Sequence, residues 1–193
     1  MRILHSASLV FGFTAVATLA AAQQPTPAPA PPAPAVHVGQ AAPDFELAYV
    51  TATPEHKFET HKVKLSDFKD KKNVVIAFFP AAFSPGCTSE MAKYAQQTGR
   101  FNKTNTDILG MSVDSMWANM AFREKLEVPF PILSDAKKEI AKTYGVYDEA
   151  QGTARRTTFI VDKSGVIQHI DMAREALDPN TAAEACELMV SVK

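Results

Sequence analysis

The chain reads as an α/β protein, a central mixed sheet flanked by helices, on three observations. From residue 36 onward, β-branched and aromatic runs alternate with segments of helical spacing, the pattern of helices layered on a sheet. One run, Val74-Val75-Ile76-Ala77-Phe78-Phe79, is apolar without alternation, as expected of a strand buried on both faces. Late in the chain, two strand-like runs flank Asp162-Lys163-Ser164-Gly165. Its glycine suits a tight reversal, so the sheet should carry an antiparallel edge.

Taken in order, residues 44–49 and 62–65 read as early strands, joined by a polar stretch (51–60) that is a surface hairpin or loop. Residues 66–70 form a short helical turn, and 73–79 the central strand. Residues 88–104 carry Met91, Tyr94, Ala95 and Thr98 at helical spacing and form the helix behind it. A strand at 107–113, a helix at 117–126 and a helix at 136–144 follow. The hairpin strands are 156–161 and 166–172, and 181–190 is a final helix. No internal repeat is visible.

A length of 193 residues sets one domain as the default. Hydrophobic residues make up 46%, including 12 Phe, enough for one core. A net charge of -1 with mixed signs argues against a nucleic-acid or anionic-membrane surface. Residues 1–22 read as a signal peptide: a basic Met1-Arg2 start, an apolar run at 9–19 broken by Gly12 and Thr14, and small Ala20-Ala21-Ala22 before Gln23. The expected product is exported, periplasmic or secreted. The run is short for a membrane span and lacks a basic stop; an uncleaved anchor is the competing reading. Residues 23–35 hold six prolines and should form an extended linker, reaching about 40 Å at 3.1 Å per residue. Residues 36–193 are then the folded domain.

The chemistry concentrates where the apolar run ends. Cys87 falls in the first turn of the predicted helix, beside Pro80, Ser84 and Pro85. A helix N-terminus offers partial positive charge and unpaired N–H groups, which favour thiolate, the nucleophilic form. The two prolines stiffen the approach, and the Ser84 hydroxyl can donate to the sulfur or to a bound oxygen. The bland alternatives are a buried core cysteine and an N-cap serine.

The pattern Pro80-x-x-x-Ser84-x-x-Cys87 resembles the signature of peroxiredoxins, in the alkyl hydroperoxide reductase and thiol-specific antioxidant group, where Thr is the commoner occupant of the Ser84 position. Further segments resemble family text in the same order: Ser112-Val113-Asp114-Ser115-x-Trp117, Phe130 to Asp135, Tyr144-Gly145-Val146 and Arg156 to Gly165. The resemblance runs from about Val38 to the C-terminus and is closest to the one-cysteine members. It implies a thioredoxin-like fold and reduction of hydrogen peroxide and organic hydroperoxides through a cysteine sulfenic acid. The implied roles are Cys87 as nucleophile, Arg156 as clamp on thiolate and peroxide, Ser84 as hydrogen-bond donor and Pro80 as shield. Glu90 either holds the arginine or is a solvated surface acid. Arg155 competes with Arg156, but adjacent strand residues point to opposite faces. Trp117 is read as packing.

Two cysteines in an exported chain would ordinarily suggest a disulfide. Cys186 shares a helical stripe with Ala182, Met189 and Val190, so it is either a core residue or a resolving cysteine for Cys87. The family's near position holds Ala92, and Cys186 lacks the Cys-Pro pair of the C-terminal motif. The resemblance implies no cofactor, an external thiol reductant (a thioredoxin-like protein or small thiol), and is compatible with a homodimer. The five His show no metal spacing. Two other readings stay open: a thioredoxin-like disulfide oxidoreductase, disfavoured because Ser84 stands where Cys-x-x-Cys needs its first cysteine, and a non-catalytic redox sensor or chaperone.

Overall fold

A computed structural model describes residues 32–55 and 57–191; the expected signal peptide (1–22) and most of the linker (23–35) lie outside the described residues. The central sheet has seven strands. In chain order they are β1 (Glu46–Ala52), β2 (Phe58–Lys64), β3 (Asn73–Phe78), β4 (Thr106–Ser112), β5 (Ile132–Ser134), then, after a small two-stranded ribbon of β6 (Tyr147–Asp148) and β7 (Thr153–Ala154), β8 (Thr157–Val161) and β9 (Ile167–Met172). The spatial order is β2-β1-β5-β4-β3-β8-β9. Strands β3, β4 and β5 are parallel, while β8 and β9 complete one side and the β1–β2 hairpin the other in antiparallel register. The helices are α1 (Pro85–Lys103), α2 (Met116–Lys125), α3 (Glu139–Thr143) and α4 (Asn180–Ser191).

β3 shows why its sequence does not alternate. Every residue in it is buried, but its side chains divide between two cores. Val74, Ile76 and Phe78 join Phe159, Val161, Tyr144 and Val146 on one face. Val75, Ala77 and Phe79 join Met91, Tyr94, Phe101, Phe122, Ile160 and Cys186 on the other. Each large side chain so buried contributes about 2 kcal/mol. The helices α1, α2 and α4 cover the second face, and α3 with residues 36–45 helps cover the first.

Several boundaries differ from the sequence reading. The early hairpin extends into the polar stretch, where β1 and β2 pair from Glu46↔Lys64 to Ala52↔Phe58, and the helical turn follows one residue early, at Leu65–Phe68. The helix expected at 136–144 begins only at Glu139, because Lys138 is left-handed (φ 64°). The buried Asp135 carboxylate then accepts the Ile140 and Ala141 amides at the helix start. Burial pushes that carboxyl above its ordinary value despite these amides. Strands β5, β6 and β7 are too short to carry a periodicity and were not anticipated. Among the described residues, no helix is long and apolar enough to cross a membrane.

Candidate active site

Cys87 is the third residue of α1, which Pro85 opens and Ser84 precedes in extended conformation. Proline at the first helical position is pre-set for the helix and lacks an amide that would go unpaired. Ser84 accepts the Thr88 amide on its carbonyl at 2.9 Å. The sulfur therefore sits at the positive end of a 19-residue helix. It is also wholly buried, against the core shared by Phe79, Met91 and Tyr94.

Arg156 arrives from the strand side. It immediately precedes β8, whose Thr157 pairs with Phe78 at the end of β3. Its Nη2 donates to Cys87 Sγ at 3.4 Å, while Nη1 forms an ion pair with Glu90 Oε2. Glu90 is fully buried and the Arg156 side chain only 15% exposed, so each charge depends on the other for compensation. One guanidinium thus spans a sulfur and a carboxylate, which its fork of donors permits and a lysine ammonium does not. Arg155 takes the opposite side, donating to the Gly145 and Tyr147 carbonyls. The two arginines lie between β7 and β8 and turn to different partners.

Glu90 is the residue on which the sequence allowed two outcomes. It holds the arginine. Pro80 ends β3 and lines a pocket of about 350 Å³ together with Arg156, Thr157 and Met172. Among the described residues the Ser84 hydroxyl makes no hydrogen bond to the sulfur and no cap bond; its other expected role, donation to a bound oxygen, concerns the peroxide. In its place, Arg156 is the group that donates to Sγ. Trp117 is half exposed (51%) and packs edge-on against Phe58 at 5.4 Å, a surface contact away from the sulfur's polar partners.

Two residues escaped the sequence reading. Gly86 lies under the guanidinium, where a Cβ would come within 3.2 Å of Arg156 Nη2; a glycine beside the nucleophile was the available signal. Asp114 accepts the Ala82 amide at 2.8 Å, and nothing in local sequence announces a contact across 32 residues.

Cys186 stands elsewhere. It is buried in α4, beside Thr106, the first residue of β4, which pairs with Asn73 at the start of β3. Cys87 instead faces Arg156, which precedes Thr157, the partner of Phe78 at the other end of β3. Both cysteines are free. Burial pushes the Cys186 thiol up to about 11, against a smaller lowering by Thr106. Among the described residues, no group of three His, Cys, Asp or Glu side chains is placed to hold a metal.

Residues 38–170 match the profile of the AhpC/TSA family. The chain is 40% identical over 139 residues to the chloroplastic 2-Cys peroxiredoxin of Spinacia oleracea, covering 68% of this chain and 51% of that protein. It is 38% identical over 141 residues to the chloroplastic 2-cysteine peroxiredoxin of Chattonella marina var. antiqua, covering 69% of each. The chain thus spans about half the length of the spinach relative. Among solved structures it resembles the peroxidoxin BcpB of Mycobacterium tuberculosis, with TM-score 0.68 and 26% identity over 81% of this chain and 97% of that one. It also resembles the reduced 2-Cys peroxiredoxin of Plasmodium vivax, with TM-score 0.69 and 27% identity over 81% and 82%. The fold is thioredoxin-like, and the chain belongs to the peroxiredoxins of the AhpC/TSA family.

Proposed function

We propose that the chain is a thiol-dependent peroxidase that reduces hydrogen peroxide and small organic hydroperoxides and works as a one-cysteine enzyme. The observation that carries this reading is the single guanidinium shared between Cys87 Sγ and the buried Glu90. Family membership supports it. The Cys87 thiolate gives an electron pair to the terminal peroxide oxygen, forming the S–O bond as the O–O bond breaks. The leaving hydroxide or alkoxide takes a proton from water. Sulfur is oxidised by two electrons to a sulfenic acid, and the peroxide is reduced by two. Arg156 places fixed positive charge where sulfur and peroxide oxygens carry negative charge, and in a water-poor site that stabilisation is large.

Recycling then needs an external thiol, whether a thioredoxin-like protein or a small molecule. It attacks the sulfenic sulfur and releases water, and a second thiol equivalent returns Cys87. Cys186 takes no part in this reading: a disulfide requires Cα atoms within about 7 Å, and what supports its exclusion is that it packs beside Thr106 while Cys87 faces Arg156. The test is one equivalent of peroxide on the reduced protein, followed by stopped-flow fluorescence and peptide mapping without reductant. Fast formation of a Cys87 sulfenic acid is expected. A dominant Cys87–Cys186 linked peptide, within one chain or between two, would make Cys186 the resolving residue. No reaction at Cys87 would favour a disulfide oxidoreductase or a non-catalytic sensor.

Export is part of the same proposal: residues 1–22 are removed and the proline-rich linker leads into a periplasmic or secreted enzyme. The basic start, apolar run and Ala20-Ala21-Ala22 support it. N-terminal sequencing from the native host should begin near Gln23; an intact Met1 in a membrane fraction would point to an anchor.

A further inference from the structure

The segment between β3 and α1 delivers the sulfur, yet little of its own chemistry holds it. It contains Pro80, which has no amide, and Phe83 with a left-handed backbone (φ 65°), a conformation that costs a bulky residue energy and persists only when the surroundings impose it. Among the described residues, one side chain hydrogen-bonds the main chain of residues 80–84: Asp114 Oδ2 accepts the Ala82 amide at 2.8 Å.

Asp114 is itself held firmly. Ser112 Oγ lies 2.9 Å from the same Oδ2 and 2.9 Å from Asn119 Oδ1. Asn119 Nδ2 donates to the Leu133 carbonyl at 3.0 Å, and Ser134 Oγ donates to the Asp114 carbonyl at 2.6 Å. Ser112 and Asn119 are wholly buried. The network therefore joins β4, α2 and β5 and ends on one loop amide. A carboxylate acceptor makes such a bond stronger than a neutral one would be.

We propose that Asp114 is a positioning residue for Cys87: by fixing the Ala82 amide it sets the loop that aligns the sulfur with Arg156. This rests on the peroxidase reading for its catalytic consequence. The contact needs an acceptor at the Oδ2 position rather than a negative charge, since Oδ1 has no hydrogen-bond partner among the described residues. An asparagine carbonyl can take both the Ala82 and Ser112 donors. A glutamate keeps the charge but moves its acceptor by one methylene.

The test compares Asp114→Asn, Asp114→Ala and Asp114→Glu with the parent chain in three measurements: the rate of Cys87 oxidation by hydrogen peroxide, the rate of Cys87 alkylation by iodoacetamide (read by peptide mapping), and Tm. Asp114→Asn should stay within about twofold in both rates, while Asp114→Ala and Asp114→Glu lose at least about tenfold with peroxide, as a small misplacement of a reacting group does. Alkylation also uses the thiolate but needs no peroxide held against Arg156, and release of the buried sulfur should raise it in those two. The ratio of the rates therefore moves while Tm stays close to that of the parent chain, which separates misplacement from a loss of stability, since the latter would also expose the buried sulfur. Parent-like rates in Asp114→Ala overturn the proposal. So does loss in Asp114→Asn with retention in Asp114→Glu, since charge and not position would then be acting. If Asp114→Ala does not fold, Asp114→Glu against Asp114→Asn decides. Should the parent chain leave peroxide unreacted, the peroxidase reading fails, and the alkylation rates still decide the positioning role.

Discussion

The two cysteines occupy the same apolar face of the sheet, both wholly buried and both within one cluster of contacting side chains, yet the fold assigns them opposite chemistry. Cys87 stands at a helix N-terminus with a guanidinium at 3.4 Å. Cys186 stands in the body of α4, where its thiol is pushed up to about 11 by burial and the polar group beside it is the neutral Thr106. Burial is common to both and so does not separate a nucleophile from packing. What separates them is the charge placed against the sulfur and the backbone dipoles aimed at it.

The comparison breaks first at the nucleophile. Cys87→Ser should abolish peroxide reduction, whereas Cys186→Ser should keep the first oxidation step; equal peroxide consumption by Cys87→Ser and the parent chain would end the assignment. Arg156→Lys tests the fork directly. It preserves the charge for Glu90 but loses simultaneous contact with sulfur and carboxylate, so kcat/KM for peroxide should fall about a hundredfold with Tm little changed.

Glu90→Ala should act on stability as well as rate. It leaves a largely buried guanidinium without its counter-charge, at a cost of about 3 kcal/mol, read as a lower midpoint in chemical denaturation. A midpoint equal to that of the parent chain would mean that the pair contributes nothing to the fold.

Cys186 sharpens the contrast through pH. Its thiol titrates at about 11 in the folded chain against 9.0 for an unperturbed group, so burial keeps it neutral after the unfolded chain has begun to ionise. Its contribution is fully present below pH 9, falls as pH rises, and is gone above about 11, at about 1.4 kcal/mol per pH unit in between. Denaturation midpoints of the parent chain should therefore drop more steeply over that window than those of Cys186→Ala. Parallel pH profiles would show the thiol to be less buried than the fold indicates.

How much of this was legible beforehand varies with the range of the interaction. The central strand, the helix behind Cys87 and the Asp162–Gly165 reversal were readable because periodicity, helix-start chemistry and turn residues act within a few positions. Cys87 and Arg156 were readable as candidates from motif and spacing, and the choice of Arg156 over Arg155 followed from the spacing to Asp162 in the resembled family text. Strands β5, β6 and β7, of two or three residues each, take their conformation from neighbours and carry no pattern of their own. The delayed start of α3 depended on the Asp135 carboxylate reaching two amides in the following turn.

The amino-acid sequence by itself determined the α/β class, the order of the principal elements and the candidate nucleophile, because each is encoded in local preference. Only the tertiary structure decided that Glu90 is a buried partner and not a surface acid, that the Ser84 hydroxyl leaves the sulfur to Arg156, that Cys186 lies at the far end of β3, and that Asp114 holds the loop before Cys87. The contacts behind them join residues 32 to 69 positions apart, chosen by packing. A charge, a hydroxyl or a thiol has no fixed role until the fold sets its neighbours, its distance and its share of water.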